Sequence, residues 1–406
     1  MRILFITDNF PPEVNAPASR TFEHCKEWVR LGADVTVITC VPNFPQGKVF
    51  PGYRNKLIQK EEMDGIHVVR VWSFIAANAG FTKRILDYVS FAMMAFWAGL
   101  FREVDVIVAT SPQFFTTCTG YVLSMLKRRP WVFELRDLWP ESIVTVGAME
   151  KGPSVRFLEW MEQFMYRNAD LIVPVTDAFQ QRLEDYGIDP EKLHVVTNGV
   201  DTTLFPACER NDELRKELGL QDKFLVGYIG THGMAHNLEF VVDAMAKVDD
   251  PEIHIFCLGG GARKSAVVEK VQALGLSNVT FHDPVAKEQV HYYLAALDAV
   301  LVPLRKSETF KTVIPSKIFE AAAMQKPILL GVDGLARKIV EGYKAGIYFE
   351  PENEVSFLKT LKRLKNNIEL QEDLSAGGEK LASEYDRKKL AKKMIDRIEL
   401  LARTGY

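Results

Sequence analysis

The sequence predicts an α/β protein built as two similar halves, each a parallel sheet flanked by helices. Three observations predict it. The chain has 406 residues, beyond the size at which one hydrophobic core keeps growing, so two domains of roughly 200 residues are expected. Short apolar runs alternate with helical patterns along the chain, which is the order of βαβ units. After the turn signal Asn198-Gly199-Val200-Asp201, the same alternation restarts at Phe224–Ile229.

Composition narrows the class. Hydrophobic residues make up 47% and charged residues 25%, with a net charge of −3, as in an ordinary globular protein. That balance argues against a nucleic-acid partner. The five cysteines, Cys25, Cys40, Cys118, Cys208 and Cys257, are odd in number and form no C-x-x-C pair. Neither a disulfide framework nor a zinc site is suggested, and they read as small core residues. The start MRILFITDNF lacks a basic n-region and a cleavage site, so a cytoplasmic protein is expected.

Arg2 to Thr7 reads as the first strand, followed by a loop with Pro11, Pro12 and Pro17 and a helical pattern from Arg20 to Leu31 that Gly32 ends. Further strands are expected at Asp34–Cys40, His67–Trp72, Val104–Ala109 and Trp131–Leu135. In such sheets ligands bind beyond the carboxyl ends of the strands. Loop 8–20 therefore faces a ligand, with Glu13, Asn15 and Arg20 as its polar members. Tyr88–Phe101 is almost without polar side chains, yet too short for the about 20 residues that span a bilayer. Two readings stand: a buried helix, or one docked at a membrane interface with Lys83 and Arg84 at the headgroups. Arg136 and Asp137 leave a strand at the ligand edge, to orient an acceptor hydroxyl or to form a salt bridge or cap. Trp139 is either a surface for sugar stacking or a core aromatic. A helix at 154–168, the strand Asp170–Pro174, a helix at 178–186 capped by Thr176-Asp177 and the strand Leu193–Thr197 complete this half.

The second half opens with a polar, helical Phe205–Leu220. Strand Phe224–Ile229 ends at Gly230-Thr231-His232-Gly233, a small-residue turn whose amides can close on a phosphate. His232 and His236 would add donors that become cationic near or below neutral pH. Ile253–Leu258 runs into three glycines, Gly259 to Gly261, with Arg263 and Lys264 beyond. Val279–Phe281, loop 282–286, a helix at 287–296 and strand Ala299–Pro303 lead to the segment 313–327. There Pro315 and Ser316 open a helix as a fixed-φ residue and a cap, and Pro327 stops it. Lys317 beside the helix N-terminus favours phosphate, and Glu320 one turn on can accept from a ribose diol. A surface i,i+3 Lys–Glu pair is the bland alternative. Strand Ile328–Gly331 leads to Asp333-Gly334, placed to meet a sugar, and residues 354–384 are helical. Residues 387–404 carry Leu390, Met394, Ile398 and Leu401 on one face and lysines and arginines around it, a packed helix or a membrane-surface contact.

Taken together, Asn198-Gly-Val-Asp201 with Phe205, Gly230 with His236-Asn237, Gly259-x-Gly261, Leu297 to Pro303, and Lys317…Glu320…Met324…Pro327 resemble glycosyltransferase family 4. The resemblance implies the GT-B fold, two Rossmann-like domains facing across a nucleotide-sugar cleft, with a C-terminal helix crossing back to the first. The domains would be an acceptor-binding 1–200, a nucleotide-sugar-binding 201–385, and the helix 386–406. Asp8 to Glu13 with Ala18-Ser-Arg20 and Arg136 to Glu141 is similar to the subgroup that builds bacterial O-antigen and capsule, most of all to transferases of N-acetyl-L-fucosamine or a related amino-deoxy sugar. The implied reaction is retaining transfer from a UDP-sugar to an undecaprenyl-diphosphate-linked saccharide, at the inner face of the plasma membrane with peripheral membrane contact. UDP-sugar would be the donor substrate and no cofactor is implied.

Lys317 is then the candidate that stabilises the departing phosphate, with Gly230, Thr231, His232, Gly233, Pro315, Ser316 and Arg263 around it. Glu320 would hold the ribose, and loop 282–286, with Val285, would bracket the base. Asp137 and Glu13 are the acceptor-side candidates. No carboxylate cluster suited to a divalent ion is visible, so metal independence is expected. The sequence departs from the family twice. Thr312 stands where the first of two glutamates is usual, which suits a donor lacking a hydroxyl there. The Thr231–His236 stretch replaces a usual Arg and Lys, so leaving charge must rest on Lys317, the histidines, Arg263 or Arg305. A UDP-sugar epimerase of GT-B fold and a non-catalytic glycan-binding subunit are the alternative readings.

Overall fold

The computed structural model describes residues 1–44, 46–75, 81–111, 113–140 and 152–404, without the side chains of residues 81, 82 and 84. The chain forms two units, Met1–Asn198 together with the C-terminal helix, and Gly199–Asp386.

In the first unit the elements are β1 (Arg2–Ile6), α1 (Ala16–Arg30), β2 (Asp34–Cys40), β3 (Ile58–Met63), β4 (Ile66–Val71), α2 (Phe81–Leu100), β5 (Val106–Thr110), α3 (Phe114–Lys127), β6 (Trp131–Leu135), α4 (Pro153–Asn168), β7 (Leu171–Pro174) and α5 (Asp177–Asp185). The sheet order is β3-β4-β2-β1-β5-β6-β7, with every pair parallel except β3 and β4. Strands β5 and β6 are buried along their whole length, because helices cover both faces of a parallel sheet. That is why they read as continuous apolar runs. Strand β3 escapes sequence reading: Gln59, Lys60, Glu61 and Glu62 alternate between exposed and half-buried positions, the composition of a blunted edge strand. Helix α1 starts where Asn15 Oδ1 accepts the Ala18 amide at 2.8 Å, which satisfies one of the donors every helix leaves open at its start.

Two expectations for this unit are corrected. Leu193–Thr197 forms only a bridge from Leu193 to Ile172, because its carbonyls are taken by cations. Val196 and Thr197 accept from Arg20, and Val195 from Lys393 at 2.9 Å. The helix anticipated at 88–101 starts earlier, at Phe81.

The second unit runs α6 (Asp212–Glu217), β8 (Phe224–Ile229), α7 (Leu238–Met245), β9 (Ile253–Leu258), α8 (Lys264–Ala273), β10 (Val279–His282), α9 (Val290–Ala295), β11 (Ala299–Pro303), α10 (Lys317–Ala323), β12 (Ile328–Gly331), α11 (Leu335–Gly342), β13 (Gly346–Tyr348), α12 (Glu354–Lys365) and α13 (Ile368–Glu384). Its order β10-β9-β8-β11-β12-β13 is parallel throughout and reverses direction between β8 and β11. The helix expected over Phe205–Leu220 shrinks to α6, since Pro206 interrupts the run and Asn211 starts the helix by accepting from Leu214.

The chain ends in α14 (Arg387–Thr404), which packs on α1 of the first unit. Leu390, Met394, Ile395 and Ile398 are buried, and Trp28 Nε1 donates to the Ala391 carbonyl at 2.9 Å. Each such side chain contributes about 2 kcal/mol of burial. The apolar stripe is thus used up inside the unit, while Lys388, Lys389, Lys392 and Lys393 stay in solvent. Cys25, Cys40 and Cys257 are buried as expected, Cys118 partly, but Cys208 is exposed.

Candidate functional site

A sheet of this order opens a crevice where strand order reverses, beyond the carboxyl ends of the strands. In the second unit that point lies past β8 and β11, and three loops meet there. The turn after β8 and the turn after β9 are joined through backbone: Gly230 N donates to Leu258 O, and His232 N to Gly260 O at 2.8 Å. The approach needs glycine. A Cβ on Gly259 would lie 2.0 Å from the Gly230 carbonyl oxygen, and one on Gly261 would lie 2.6 Å from that of His232. Both glycines also have positive φ, 142° and 150°, which other residues rarely adopt. The loop after β10 closes on the same place, with Pro284 against Gly260 and Val285 partly buried on the core beneath.

Lys317, the first residue of α10, reaches this junction. Its Nζ would be 3.2 Å from a Cβ on Gly230, and sits 3.9 Å from the centre of the Tyr228 ring. The ammonium is enclosed and has no hydrogen-bond partner. Burial lowers its pKa to about 7, against the opposing pull of Glu320. Two histidines share the enclosure. His232 is fully buried, both its ring nitrogens lack a partner, and so does Nδ1 of His236. Tyr228 lies under both, at 5.6 Å from the His232 ring and 5.8 Å from the His236 ring.

Several expectations change here. The histidines are not cationic at neutral pH: burial, reinforced by Lys264 and Lys317, lowers His232 to about 4, and burial with Lys317 lowers His236 to about 3. Ser316 does not cap α10; its own backbone is helical and its hydroxyl makes no cap bond. The amides of Ile318, Phe319 and Glu320 already bond the carbonyls of Pro315 and Ser316. The open donor at this end is therefore the lysine rather than the helix amides. Arg263 donates its backbone amide to His232 O, but its guanidinium is engaged by Glu239 at 2.6 Å. Arg305 is exposed on a cavity of about 410 Å³ shared with Lys311, Asp333 and Tyr348. Thr312 turns inward on its own loop, donating to the Thr309 carbonyl at 2.8 Å. Thr231 is exposed, and Gly233 and Glu320 are half-buried. Tyr228 was missed by sequence reading; its only signal was a large aromatic two residues before the glycine turn.

In the first unit the predicted residues are held differently. Glu13 is buried, and its Oε1 accepts the amides of Asn43 and Phe44 at 2.7 and 2.8 Å. Burial outweighs those bonds and raises its pKa to about 7. It pins the neighbouring loop instead of facing solvent. Arg20 and Glu134, each 1% exposed, pair at 2.8 Å. Arg136 donates to the Pro17 carbonyl, and burial lowers its pKa to about 9. Asp137 is half-buried, with its amide on Ser111 Oγ. Trp139 is a core aromatic, 8% exposed and stacked on Phe114 at 5.1 Å, so it offers no face to a sugar. Glu141 and the side chain of Arg84 lie outside the described residues. Among the described residues no group of three or more His, Cys, Asp or Glu side chains is gathered as metal ligands.

Residues 15–199 match the family model of the glycosyl transferase 4-like domain, and residues 210–381 match that of glycosyl transferases group 1. The chain is 24% identical over 333 residues to WcaI of Escherichia coli (strain K12), whose name assigns it glycosyl transfer in colanic acid biosynthesis, covering 80% of this chain and 81% of that one. Its fold is similar to sucrose-phosphate synthase of Thermosynechococcus elongatus, with a TM-score of 0.80 at 16% identity, covering 99% of both chains. It is also similar to HepE of Anabaena in complex with UDP-glucose, with a TM-score of 0.74 at 18% identity, covering 98% and 99%.

Proposed function

The chain is a glycosyltransferase of the GT-B fold, a 4-like domain followed by a group 1 domain, and from that premise we propose that it transfers an amino-deoxy sugar from UDP to a lipid-linked saccharide in bacterial surface polysaccharide synthesis. The observation that carries the donor side is the enclosed, unpartnered ammonium of Lys317 at the Gly230 turn. An uncompensated buried cation is costly, and a diphosphate would supply the missing charge. Pyrophosphate sits there in this reading, the ribose diol on Glu320 and the base against loop 282–286. WcaI's name and the UDP-glucose bound to HepE support polysaccharide assembly and a UDP-activated donor.

In the reaction, the bond from the anomeric carbon to the β-phosphate oxygen breaks while the acceptor oxygen bonds the same face of that carbon. The acceptor proton passes to the departing phosphate, so no protein base is required. Negative charge grows on the β-phosphate as the bond breaks, and a donor fixed there lowers the barrier more than it tightens substrate binding. Tyr228 holds the lysine in place from below. Thr312, turned onto its own loop, presents no carboxylate to the sugar, which supports a donor lacking one hydroxyl, such as UDP-N-acetyl-L-fucosamine. In this reading the acceptor, an undecaprenyl-diphosphate-linked saccharide at a membrane surface, belongs to the first unit near Asp137.

A panel of UDP-sugars tests this by thermal stabilisation, since a ligand bound to the folded state raises apparent stability. UDP and one UDP-amino sugar are expected to stabilise the protein, and UDP release is expected to depend on a polyprenyl-linked acceptor. Conversion of a UDP-sugar to its epimer without acceptor, or no stabilisation by any uridine nucleotide, would contradict the assignment.

A further inference from the structure

Helices α2, α3 and α4 lie side by side over one face of the first sheet. Thr119 of α3 donates to the Ala92 carbonyl of α2 at 3.0 Å, and Lys127 donates to the Leu100 carbonyl at 2.7 Å. Tyr121 of α3 meets Phe164 of α4 edge-on, with ring centres 5.5 Å apart. Their inner faces supply Phe91, Leu123 and Met165 to the buried core. A helix of an ordinary domain is polar on its other side. On these three the outer side also carries large apolar side chains.

On α2 the outward stripe carries Met93 and Trp97, 60% and 54% exposed, and ends at Phe101, 81% exposed. On α3 it carries Met125 and Leu126, and on α4 Phe157 and Trp160, which stack on each other at 5.9 Å. Among the described residues, half of all exposed large hydrophobic side chains fall on these three helices and Phe101. Soluble surfaces rarely gather so much apolar area without a partner.

Charge at the stripe ends selects the partner. Lys83 sits three residues before Leu86 on the α2 stripe, Arg156 four before Trp160 on α4, and Arg128 just past Leu126. None of the three is given an acidic partner among the described residues. A second copy of the chain placed on this face by a two-fold axis would set cations against the same cations. An anionic phospholipid surface would not. Apolar and indole groups at the headgroup boundary, with free cations at their margin, match that surface. No helix among the described residues is long and apolar enough to cross a membrane.

We propose that the outward face of α2, α3 and α4 docks the protein on an anionic phospholipid bilayer, with Trp97 and Trp160 in the headgroup boundary and Lys83, Arg128 and Arg156 on lipid phosphates. The proposal resolves the two readings of the apolar helix into one helix with a core face and a membrane face. It leaves α14 out, since that helix has already buried its stripe. It deepens the reading of a membrane-borne acceptor and rests on that reading only for why the protein would visit a bilayer.

The test is co-sedimentation of the full chain with vesicles containing phosphatidylglycerol, compared with phosphatidylcholine alone. Binding is expected to the anionic vesicles, with blue-shifted tryptophan fluorescence. A Trp97→Gln/Trp160→Gln variant with an unchanged melting temperature should partition about tenfold less or weaker still. Lys83→Ala/Arg156→Ala should remove much of the preference for anionic lipid, and Lys388→Ala/Lys389→Ala on α14 should change neither. Stabilisation by UDP should be the same in all variants, which separates failure here from failure of the donor assignment. Absent vesicle binding, undiminished binding by the tryptophan variant, or a dimer that this variant abolishes would each overturn the proposal.

Discussion

Beyond the carboxyl strand ends, the two units hold their buried cations differently. In the first, Arg20 is closed by Glu134 and two carbonyls, Glu13 Oε1 by two amides, and Arg136 by the Pro17 carbonyl, while the second oxygens of Glu13 and Glu134 have no partner. In the second, Lys317, His232 and His236 share an enclosure with Tyr228 and carry nitrogens without partners. Burying a polar group without a partner costs free energy. A buried cation met by a carboxylate and carbonyls can therefore be maintained for the fold's sake, whereas a buried ammonium without an acceptor favours a partner from outside. The difference between Arg20 and Lys317 is the ground on which we propose the second as the ligand's place.

The largest effect is expected from breaking the closed side. Arg20→Ala leaves Glu134 buried without its ion-pair partner, and should destabilise the protein by about 3–5 kcal/mol in chemical denaturation. UDP should still stabilise whatever variant remains folded. A loss below about 1 kcal/mol would mean that the network is not scaffold.

Breaking the open side should show in rate rather than in stability. Lys317→Ala should lower kcat by about 10²-fold, the scale of losing one donor to a developing oxyanion, with a melting temperature equal to or above that of the parent. Turnover that survives with only KM altered would remove Lys317 from the chemistry.

Protonation sharpens the contrast. Burial lowers the Lys317 pKa to about 7, and a bound diphosphate favours its charged form. Below that pH the charge is already present; above it, binding must take up a proton. UDP affinity should therefore fall by up to about tenfold per pH unit above 7, measured by calorimetry in buffers of different ionisation enthalpy. A flat profile with no proton uptake would contradict the assignment. A second effect of pH concerns Glu13. Its folded pKa of about 7 lies above the ordinary 4.5, so its stability contribution is present below about 4.5 and lost as pH rises through 7. Glu13→Gln should flatten the stability profile between pH 5 and 8 by about 2 kcal/mol, with no change in UDP binding. An unchanged slope would mean that Glu13 is not the group titrating there.

Much of this fold was readable from pattern alone. Strands such as β5, β6 and β11 sit between helix layers and must be apolar throughout, and the glycines after β8 and β9 announce loops that approach a ligand or each other. What pattern could not reach were the places where side chains replace backbone partners. Residues 193–197 look like a strand but give their carbonyls to Arg20 and Lys393, long-range bonds without a local signature. Charged β3 hides because an edge strand is chosen against stickiness rather than for burial. In the candidate site the placement of Lys317 was foreseeable from its spacing to Pro315, but the neutrality of His232 and His236 was not. Charge state follows from burial and from each other's proximity, which only the fold provides. Trp139 shows the same limit, since stacking on Phe114 decided its role.

The central claim is that the open cluster at Gly230 and Lys317 is completed by a diphosphate. Calorimetric titration of the whole protein with UDP and with uridine, on the parent chain and on Lys317→Met, tests it most directly. UDP should bind the parent chain, uridine at least about 100-fold more weakly, and the variant should lose most of that difference. Equal affinity for UDP and uridine, or undiminished UDP binding by Lys317→Met, would contradict it.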